Sequence, residues 1–181
     1  MKNEYEATFL EVDEKELKSK LLSLGAKLSK PKTLMKRFIF NSPHLRKKNA
    51  WVRLRDEGDN ITLTLKQVSD SSNISGTKEI EFIVNDLNSS KDFCLGVGLE
   101  MCNYQENYRE EWILGDIKYD FDSWPDIPTF LEIEGPDEIS VKRAVTELGL
   151  LFEDAWFGSI DKIYLEKYRR DILQEKNLLF K

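Results

Sequence analysis

Histidine, cysteine and long apolar runs are scarce in this sequence. Its 181 residues include one histidine, His44, and two cysteines, Cys94 and Cys102. The cysteines lack the spacing of a metal-binding pair and there are too few histidines to complete a zinc site, so we expect free thiols in a reducing cytoplasm. His44 follows Asn-Ser-Pro in a turn-like stretch. A nucleophile activated by histidine is therefore not expected.

Membrane and nucleic-acid signals are missing as well. No apolar run approaches the roughly 18 residues of a membrane span, and the N-terminus lacks the basic-then-apolar layout of a signal peptide. The net charge of −6 argues against non-specific binding to nucleic acid, which a basic balance indicates. We expect a cytoplasmic protein without a membrane or nucleic-acid partner. A local cluster of cations could still bind a small anion.

Alternation of polar and apolar residues is what the sequence has in abundance. It predicts eight strands, which end at turn-forming residues. Their ranges are 4–12, 34–40, 50–56, 61–66, 78–84, 101–114, 117–124 and 129–134. Most neighbours in this order read as antiparallel hairpins, and closing such a sheet removes its exposed edges. The prediction is an α+β fold, an eight-stranded antiparallel β-barrel forming a single domain over residues 1–181.

Helical periodicity appears between and after the strands. Asp13 and Glu16 form a capping-box pattern ahead of leucines at helical spacing, from Leu17 to Leu28. A weaker helix is predicted from about 86 to 95, where glycines follow it. Two more are predicted over 137–148 and 160–176. The third of these four helices would turn Val141, Ala144, Val145 and Leu148 inward.

Charged pairs repeat on the predicted strands at a spacing of two residues. Side chains at i and i+2 of a strand share a face, so each pair places two like charges on one side. The acidic pairs are Glu4 and Glu6, Glu79 and Glu81, and Glu132 and Glu134; Arg53 and Arg55 form a basic pair, and Lys66 ends the next strand.

These charged faces could point to solvent or into the barrel. A single alternating glutamate strand is most often a solvent face. The helices favour the second arrangement, because their apolar faces must cover apolar strand surface and would leave the charged faces inside. A charged interior would suit a polyanion held by cations, with a divalent metal between carboxylates.

Taken together, these residues resemble the CYTH family of triphosphate tunnel enzymes, which includes class IV adenylyl cyclases, thiamine triphosphatases and inorganic triphosphatases. The resemblance covers nearly the whole chain. It rests on the ordered set Glu4-x-Glu6, Arg53-x-Arg55, Lys66, Glu79-x-Glu81, Arg109, Asp122 and Glu132-x-Glu134.

The resemblance implies a role for each of these residues in a tunnel that holds a triphosphate. The metal-binding and catalytic carboxylates would be Glu4, Glu6, Glu132 and Glu134, with Asp122 joining or orienting the Mg²⁺ or Mn²⁺ ion. The phosphate-binding cations would be Arg53, Arg55, Lys66 and Arg109. Glu79 and Glu81 would position these cations, or a water or second metal. The protein would act as a monomer or homodimer.

One position departs from the family pattern. The family usually opens with Glu-x-Glu-x-Lys, whereas this chain has Thr8 in the last place. One expected phosphate-binding cation is therefore missing. Arg37 could replace it if its side chain faces the interior.

Three functions fit this pattern. The first is a metal-dependent triphosphate hydrolase, in which arginine binds phosphate bidentately and the metal neutralises charge and activates water. The second is a class IV adenylyl cyclase that makes cyclic AMP and pyrophosphate in the same tunnel. The third, suggested by Thr8, is a non-catalytic triphosphate- or polyphosphate-binding module. The retained carboxylates favour an enzyme, and the hydrolase is preferred.

Overall fold

A computed structural model describes residues 1–70 and 72–181 of the chain. The strands in this part of the chain are β1 (Lys2–Asn3), β2 (Tyr5–Phe9), β3 (Lys27–Asn41), β4 (Ala50–Asp56), β5 (Ile61–Val68), β6 (Thr77–Val84), β7 (Glu100–Leu114), β8 (Ile117–Ser123), β9 (Phe130–Gly135) and β10 (Asn177–Leu178). The α-helices are α1 (Glu14–Ser23), α2 (Pro43–Arg46), α3 (Leu87–Gly96), α4 (Glu138–Glu147) and α5 (Ile160–Tyr168). Short 3₁₀ helices span Phe152–Asp154 and Ile172–Gln174.

The strands form one nearly closed antiparallel barrel, which confirms the predicted fold. The sheet runs in the order β1-β6-β5-β4-β3-β7-β8-β9-β2. Its two ends meet in the N-terminal segment, because β1 pairs with β6 and β2 pairs with β9. Glu4 lies at the switch between the two partners, and its backbone N–H donates to the carbonyl of Thr77 at 3.0 Å.

Residues 1–70 and 72–181 contain ten strands rather than the eight that the sequence predicts. One additional strand arises because the N-terminal segment is divided at Glu4 into β1 and β2. The other is β10, which runs parallel to β7. The predicted second strand also begins earlier, at Lys27, so Leu28 lies in β3 and not on the first helix.

The C-terminal tail does not form the predicted continuous helix. Helix α5 ends at Tyr168, and Arg169 takes a left-handed conformation with φ 54°. Such a backbone conformation ends a helix. Arg170 then binds Asp126 and Glu175, with N–O distances of 2.9 and 2.6 Å, and secures the turn that leads to β10.

The helices lie on the outside of the barrel. Asp13 caps α1, and its Oδ1 accepts from the backbone N–H of Glu16 at 2.9 Å, as the sequence predicts. The inner face of α4 is buried against β2, β8 and β9 through Val141, Ala144, Val145 and Leu148. The apolar core of the protein therefore lies between the sheet and its helices, and the other face of the sheet encloses polar residues. None of the helices in the described ranges combines the length and apolarity of a membrane span.

Candidate active site

The interior of the barrel is a cavity of about 920 Å³. Every residue predicted from the sequence to belong to the site lines it: Glu4, Glu6, Arg37, Arg53, Arg55, Lys66, Glu79, Glu81, Arg109, Asp122, Glu132 and Glu134. These residues come from β2, the Glu4 junction and seven further strands, so the barrel brings together side chains that are far apart in sequence. Their convergence shows that the charged faces point inward.

One wall of the cavity is cationic and consists of Arg37 on β3 with Arg53 and Arg55 on β4. Arg37 lies directly opposite Arg55 in the strand register, and all three side chains are buried. Arg53 donates to Glu81 at 3.2 Å, and Arg55 Nε donates to Glu57 at 2.7 Å. Burial and the neighbouring charge of Arg55 lower the pKa of Arg53 to about 10. The guanidinium still carries a positive charge at neutral pH.

Lys66 on β5 extends this wall towards the N-terminal segment. Its Nζ donates to Glu4 at 2.8 Å and lies 3.7 Å from Glu79. Burial opposes ionisation of Glu4, but the charge and hydrogen bond of Lys66 outweigh it and lower the pKa of Glu4. Glu81 similarly accepts from Thr64 at 2.6 Å and from Arg53. Glu4 and Glu81 are thus ionised partners that hold cavity cations in place.

The opposite wall is acidic. Glu6 on β2 pairs with Glu134 on β9, and Glu132 is opposite Asp120 on β8. Burial, together with the Glu4 and Glu134 carboxylates, raises the pKa of Glu6 to about 7. Burial and the nearby Glu6 raise the pKa of Glu132 well above its usual range. Crowded carboxylates that resist ionisation are stabilised in their charged form by a nearby cation.

Arg109 on β7 is the cation within this acidic wall. Its guanidinium donates to Asp122 at 2.9 Å through Nε, to Asp120 at 2.7 Å through Nη1 and also to Glu132. Burial alone would lower the pKa of Arg109, but these three carboxylates raise it well above its usual range. The same contacts outweigh burial at Asp122 and lower the pKa of that carboxyl.

Sequence reasoning omitted several side chains that line the cavity. Asp120 is one, although it shares a strand face with Asp122 and could have been found by that spacing. Its side chain is buried, its Oδ1 has no hydrogen-bond partner among the described residues, and burial raises its pKa to about 7. Glu57, Lys118 and Lys162 also line the cavity. They come from a turn, a strand end and a terminal helix, where no repeated charge pair marks them.

Thr8 does not contribute to the cavity lining. Its side chain is only 2 % exposed. Its backbone forms a bridge to Trp156, with N–O distances of 3.1 and 2.7 Å. The position that carries a cation in the family pattern is therefore neutral and covered in this chain. Arg37, by contrast, faces the interior, which meets the condition set by the sequence analysis.

A divalent metal fits the donor chemistry of the acidic wall. Carboxylate oxygens are the ligands that Mg²⁺ and Mn²⁺ prefer, and a bound cation would relieve the burial and mutual repulsion that raise the pKa values of Glu6 and Glu132. Glu4 and Asp122 are already neutralised by Lys66 and Arg109. No three acidic, histidine or cysteine side chains in residues 1–70 and 72–181 are arranged as a preformed metal centre. A bound ion would therefore complete its coordination with water or phosphate oxygens.

The chain folds as a nearly closed antiparallel barrel whose lumen sets arginines against carboxylates. The CYTH domain family model matches residues 2–167, and the chain belongs to that family. No curated protein sequence matches the chain.

Solved structures show the same fold at low sequence identity. The PH1012 protein of Pyrococcus horikoshii is 21% identical, with a TM-score of 0.70, over 84% of this chain and 93% of its own. A candidate adenylate cyclase from Vibrio parahaemolyticus is 11% identical, with a TM-score of 0.75, over 90% and 97% of the two chains. HpAC1 from Hippeastrum, a candidate adenylyl cyclase described as having a dominant triphosphatase activity, is 13% identical with a TM-score of 0.58, over 97% and 100%.

Proposed function

We propose that this protein is a metal-dependent enzyme that binds a triphosphate in the barrel lumen and hydrolyses it. The observation that carries the proposal is the division of one cavity into a wall of buried arginines and a facing wall of carboxylates with raised pKa values. A polyphosphate fits the first wall and a divalent cation the second. The Hippeastrum relative, with its stated triphosphatase activity, supports the same choice.

The cationic wall supplies the phosphate contacts. Arg53 and Arg55 offer planar forks of N–H donors that match phosphate oxygens, and Lys66 adds a point charge. Each of these cations has a carboxylate partner, so it is oriented before the substrate arrives. Phosphoryl transfer needs positioning and charge neutralisation more than covalent help from the protein.

The acidic wall supplies the metal ligands and a proton acceptor. Glu6, Glu132 and Glu134 would hold Mg²⁺ or Mn²⁺, with Glu4 and Asp122 beside them, and the ion would neutralise phosphate charge and acidify a bound water. In hydrolysis, water adds to a phosphorus atom and the bridging P–O bond breaks. Asp120, which lines the cavity opposite Glu132 and has a pKa raised to about 7, would take the proton from the water.

Product analysis tests this proposal. Purified protein would be given inorganic triphosphate, thiamine triphosphate and ATP separately, with Mg²⁺ and then with Mn²⁺. We expect metal-dependent release of phosphate from one of them, which would also identify the substrate. Cyclic AMP with pyrophosphate from ATP would instead show the class IV cyclase reaction in the same cavity.

A non-catalytic triphosphate- or polyphosphate-binding module is the second candidate. It is favoured by the neutral Thr8 and by Arg109, which already occupies the acidic wall. Tight triphosphate binding with no product under any metal would establish it. In either case we propose a single domain over residues 1–181 that works in the cytoplasm, as a monomer or homodimer, without nucleic acid or membrane.

A further inference from the structure

Arg37 is a buried cation that forms no direct ion pair with the described residues, although the charge of Asp122 favours its ionised form. The other arginines lining the cavity each form an ion pair: Arg46 with Glu100, Arg53 with Glu81, Arg55 with Glu57, and Arg109 with Asp120, Asp122 and Glu132. Arg37 forms none, although its side chain is only 6 % exposed. Removing a charge from water without pairing it is expensive.

The neighbours of Arg37 add to this cost. Arg55 lies directly opposite it on β4, and Arg53 is two residues further along that strand. Like charges facing each other across two strands destabilise a sheet. Burial, followed by the charges of Arg55 and Arg53, lowers the pKa of Arg37 well below its usual range. If this position had only a structural role, an apolar side chain would fill it at a lower cost in free energy of folding.

Asn107 holds the Arg37 guanidinium at the cavity. Arg37 Nη2 donates to Oδ1 of Asn107, while Nδ2 of Asn107 donates to Oδ1 of Asp122 at 2.9 Å. Because the Asp122 carboxylate accepts only, it turns the amide nitrogen of Asn107 towards itself and leaves the amide oxygen for Arg37. The guanidinium lies over the Trp124 ring in a cation–π contact, with 4.6 Å between Cζ and the ring centroid. Arg37 Nε has no hydrogen-bond partner among the described residues.

We propose that Arg37 and the facing Arg55 form an anion subsite for one phosphoryl group of the bound triphosphate, and that Asn107 is the positioning residue of this subsite. The proposal rests on the proposed function. It assigns to Arg37 the positive charge that Thr8 does not provide, and it explains why an unpaired cation is retained in the interior. A bound phosphoryl group would neutralise Arg37 and remove its repulsion from Arg55.

Calorimetric titration with inorganic tripolyphosphate in the presence of EDTA tests the subsite without catalysis. We expect Arg37→Met to raise the Kd at least tenfold, while the unfolding midpoint of the ligand-free protein stays the same or rises, because an unpaired buried charge has been removed. Arg143→Met, on the exposed face of α4, removes the same charge outside the cavity and should change neither quantity. A Kd for Arg37→Met within twofold of wild type would overturn the subsite.

Two comparisons separate this inference from the proposed function. If Arg53→Met weakens tripolyphosphate binding and Arg37→Met does not, only the subsite is wrong. If wild-type protein binds neither tripolyphosphate nor thiamine triphosphate nor ATP, the proposed function itself is wrong. Should Arg37→Met fail to fold, Arg37→Lys keeps the charge but not the planar fork, and we expect a smaller rise in Kd with normal folding.

Asn107→Leu tests the positioning role. It should raise the Kd several-fold in the wild-type background and have almost no effect in the Arg37→Met background, because the amide oxygen positions only Arg37 and Asp122 keeps Arg109 as its partner. A destabilising change unrelated to Arg37 would not produce this difference between backgrounds. Equal effects in both backgrounds would show that Asn107 does not position Arg37.

Discussion

Glu132 and Glu134 lie two residues apart on β9, but their carboxylates are paired with different cations. Arg109 donates to Glu132, whereas the half-exposed Glu134 is 3.4 Å from Lys118. Both face the cavity, so neither is needed to pack the core between the sheet and its helices. The stability of the fold and the chemistry of the site are therefore separable at these positions.

Replacing either glutamate should abolish activity and spare the fold. For Glu132→Gln and Glu134→Gln we expect a loss of at least roughly 100-fold in metal-dependent kcat, since each removes an anionic ligand and keeps the volume. The unfolding midpoint without metal should change little or rise, because carboxylate repulsion is relieved. Kinetics and thermal melts in EDTA would measure the two effects. Unfolding of both variants with full activity per folded molecule would argue against a carboxylate site.

Glu6 should make the metal-free protein less stable as the pH rises. Its pKa in the folded protein, about 7, lies above the ordinary value of 4.5, so the folded state binds this proton more tightly than the unfolded state. The resulting stability is present below about pH 4.5 and is lost as the pH rises through 7.

Denaturant unfolding of wild type and Glu6→Gln between pH 5 and 8 in EDTA would measure this contribution. The free energy of unfolding of wild type relative to the variant should fall by roughly 1–3 kcal/mol over the range. Glu138→Gln on the exposed surface of α4 is the control and should show no such trend. A difference that is constant with pH would mean that Glu6 is ionised throughout.

At the scale of elements, the two longest strands carry much of the cavity. Strands β3 and β7 are 15 residues each and pair with one another along most of their length. Arg37 lies on the first, and Asn107 and Arg109 lie on the second. The register that places Arg37 opposite Gln105 brings Asn107 within reach of Arg37. Helices α1, α3 and α4 lie outside and stabilise this frame without lining the cavity, whereas α2 and α5 each contribute residues to its lining.

Weakening an outer helix should therefore affect stability alone. Asp13→Ala removes the acceptor for the Glu16 N–H at the start of α1 and should cost about 1 kcal/mol, or roughly 2–4 °C in the unfolding midpoint. Asp13→Asn keeps an acceptor and should cost less. Activity per folded molecule should match wild type in both variants; a fall in kcat would mean that α1 communicates with the cavity.

The whole molecule is a barrel that is closed by the short N-terminal segment, which pairs with β6 through β1 and with β9 through β2. The switch from β6 to β9 occurs at Glu4, which is also the partner of Lys66 in the cavity. The protein has a net charge of −6 and yet gathers buried arginines inside. An anion that reaches the lumen would be held by local charges that differ in sign from the protein as a whole.

Bound triphosphate should stabilise the whole barrel. Tripolyphosphate at 100 times its Kd should add about 2.7 kcal/mol to the free energy of unfolding, which corresponds to roughly 5–10 °C in the midpoint. Arg55→Ala should greatly reduce this shift, whereas Lys142→Ala on the surface should preserve it. Differential scanning fluorimetry would record the shifts, and an undiminished shift in Arg55→Ala would exclude a phosphate contact by that residue.

Local sequence determined the strands, the cap of α1 and the like-charged pairs on strand faces. It did so because side-chain alternation and helix capping depend on residues only two to four positions apart. The same reasoning failed at the tail, where the left-handed Arg169 and the pairing of β10 with β7 depend on distant parts of the chain.

Only the tertiary structure decided which face of each strand is enclosed, and what each charged side chain meets there. The spacing of a glutamate pair in the sequence is the same whether its side chains face water or the lumen of the barrel. Closure of the barrel placed Arg109 among three carboxylates, paired Lys66 with Glu4 and left Arg37 without a direct ion pair among residues 1–70 and 72–181. These contacts join strands remote in sequence, and burial then sets their pKa values and their capacity to bind metal and phosphate.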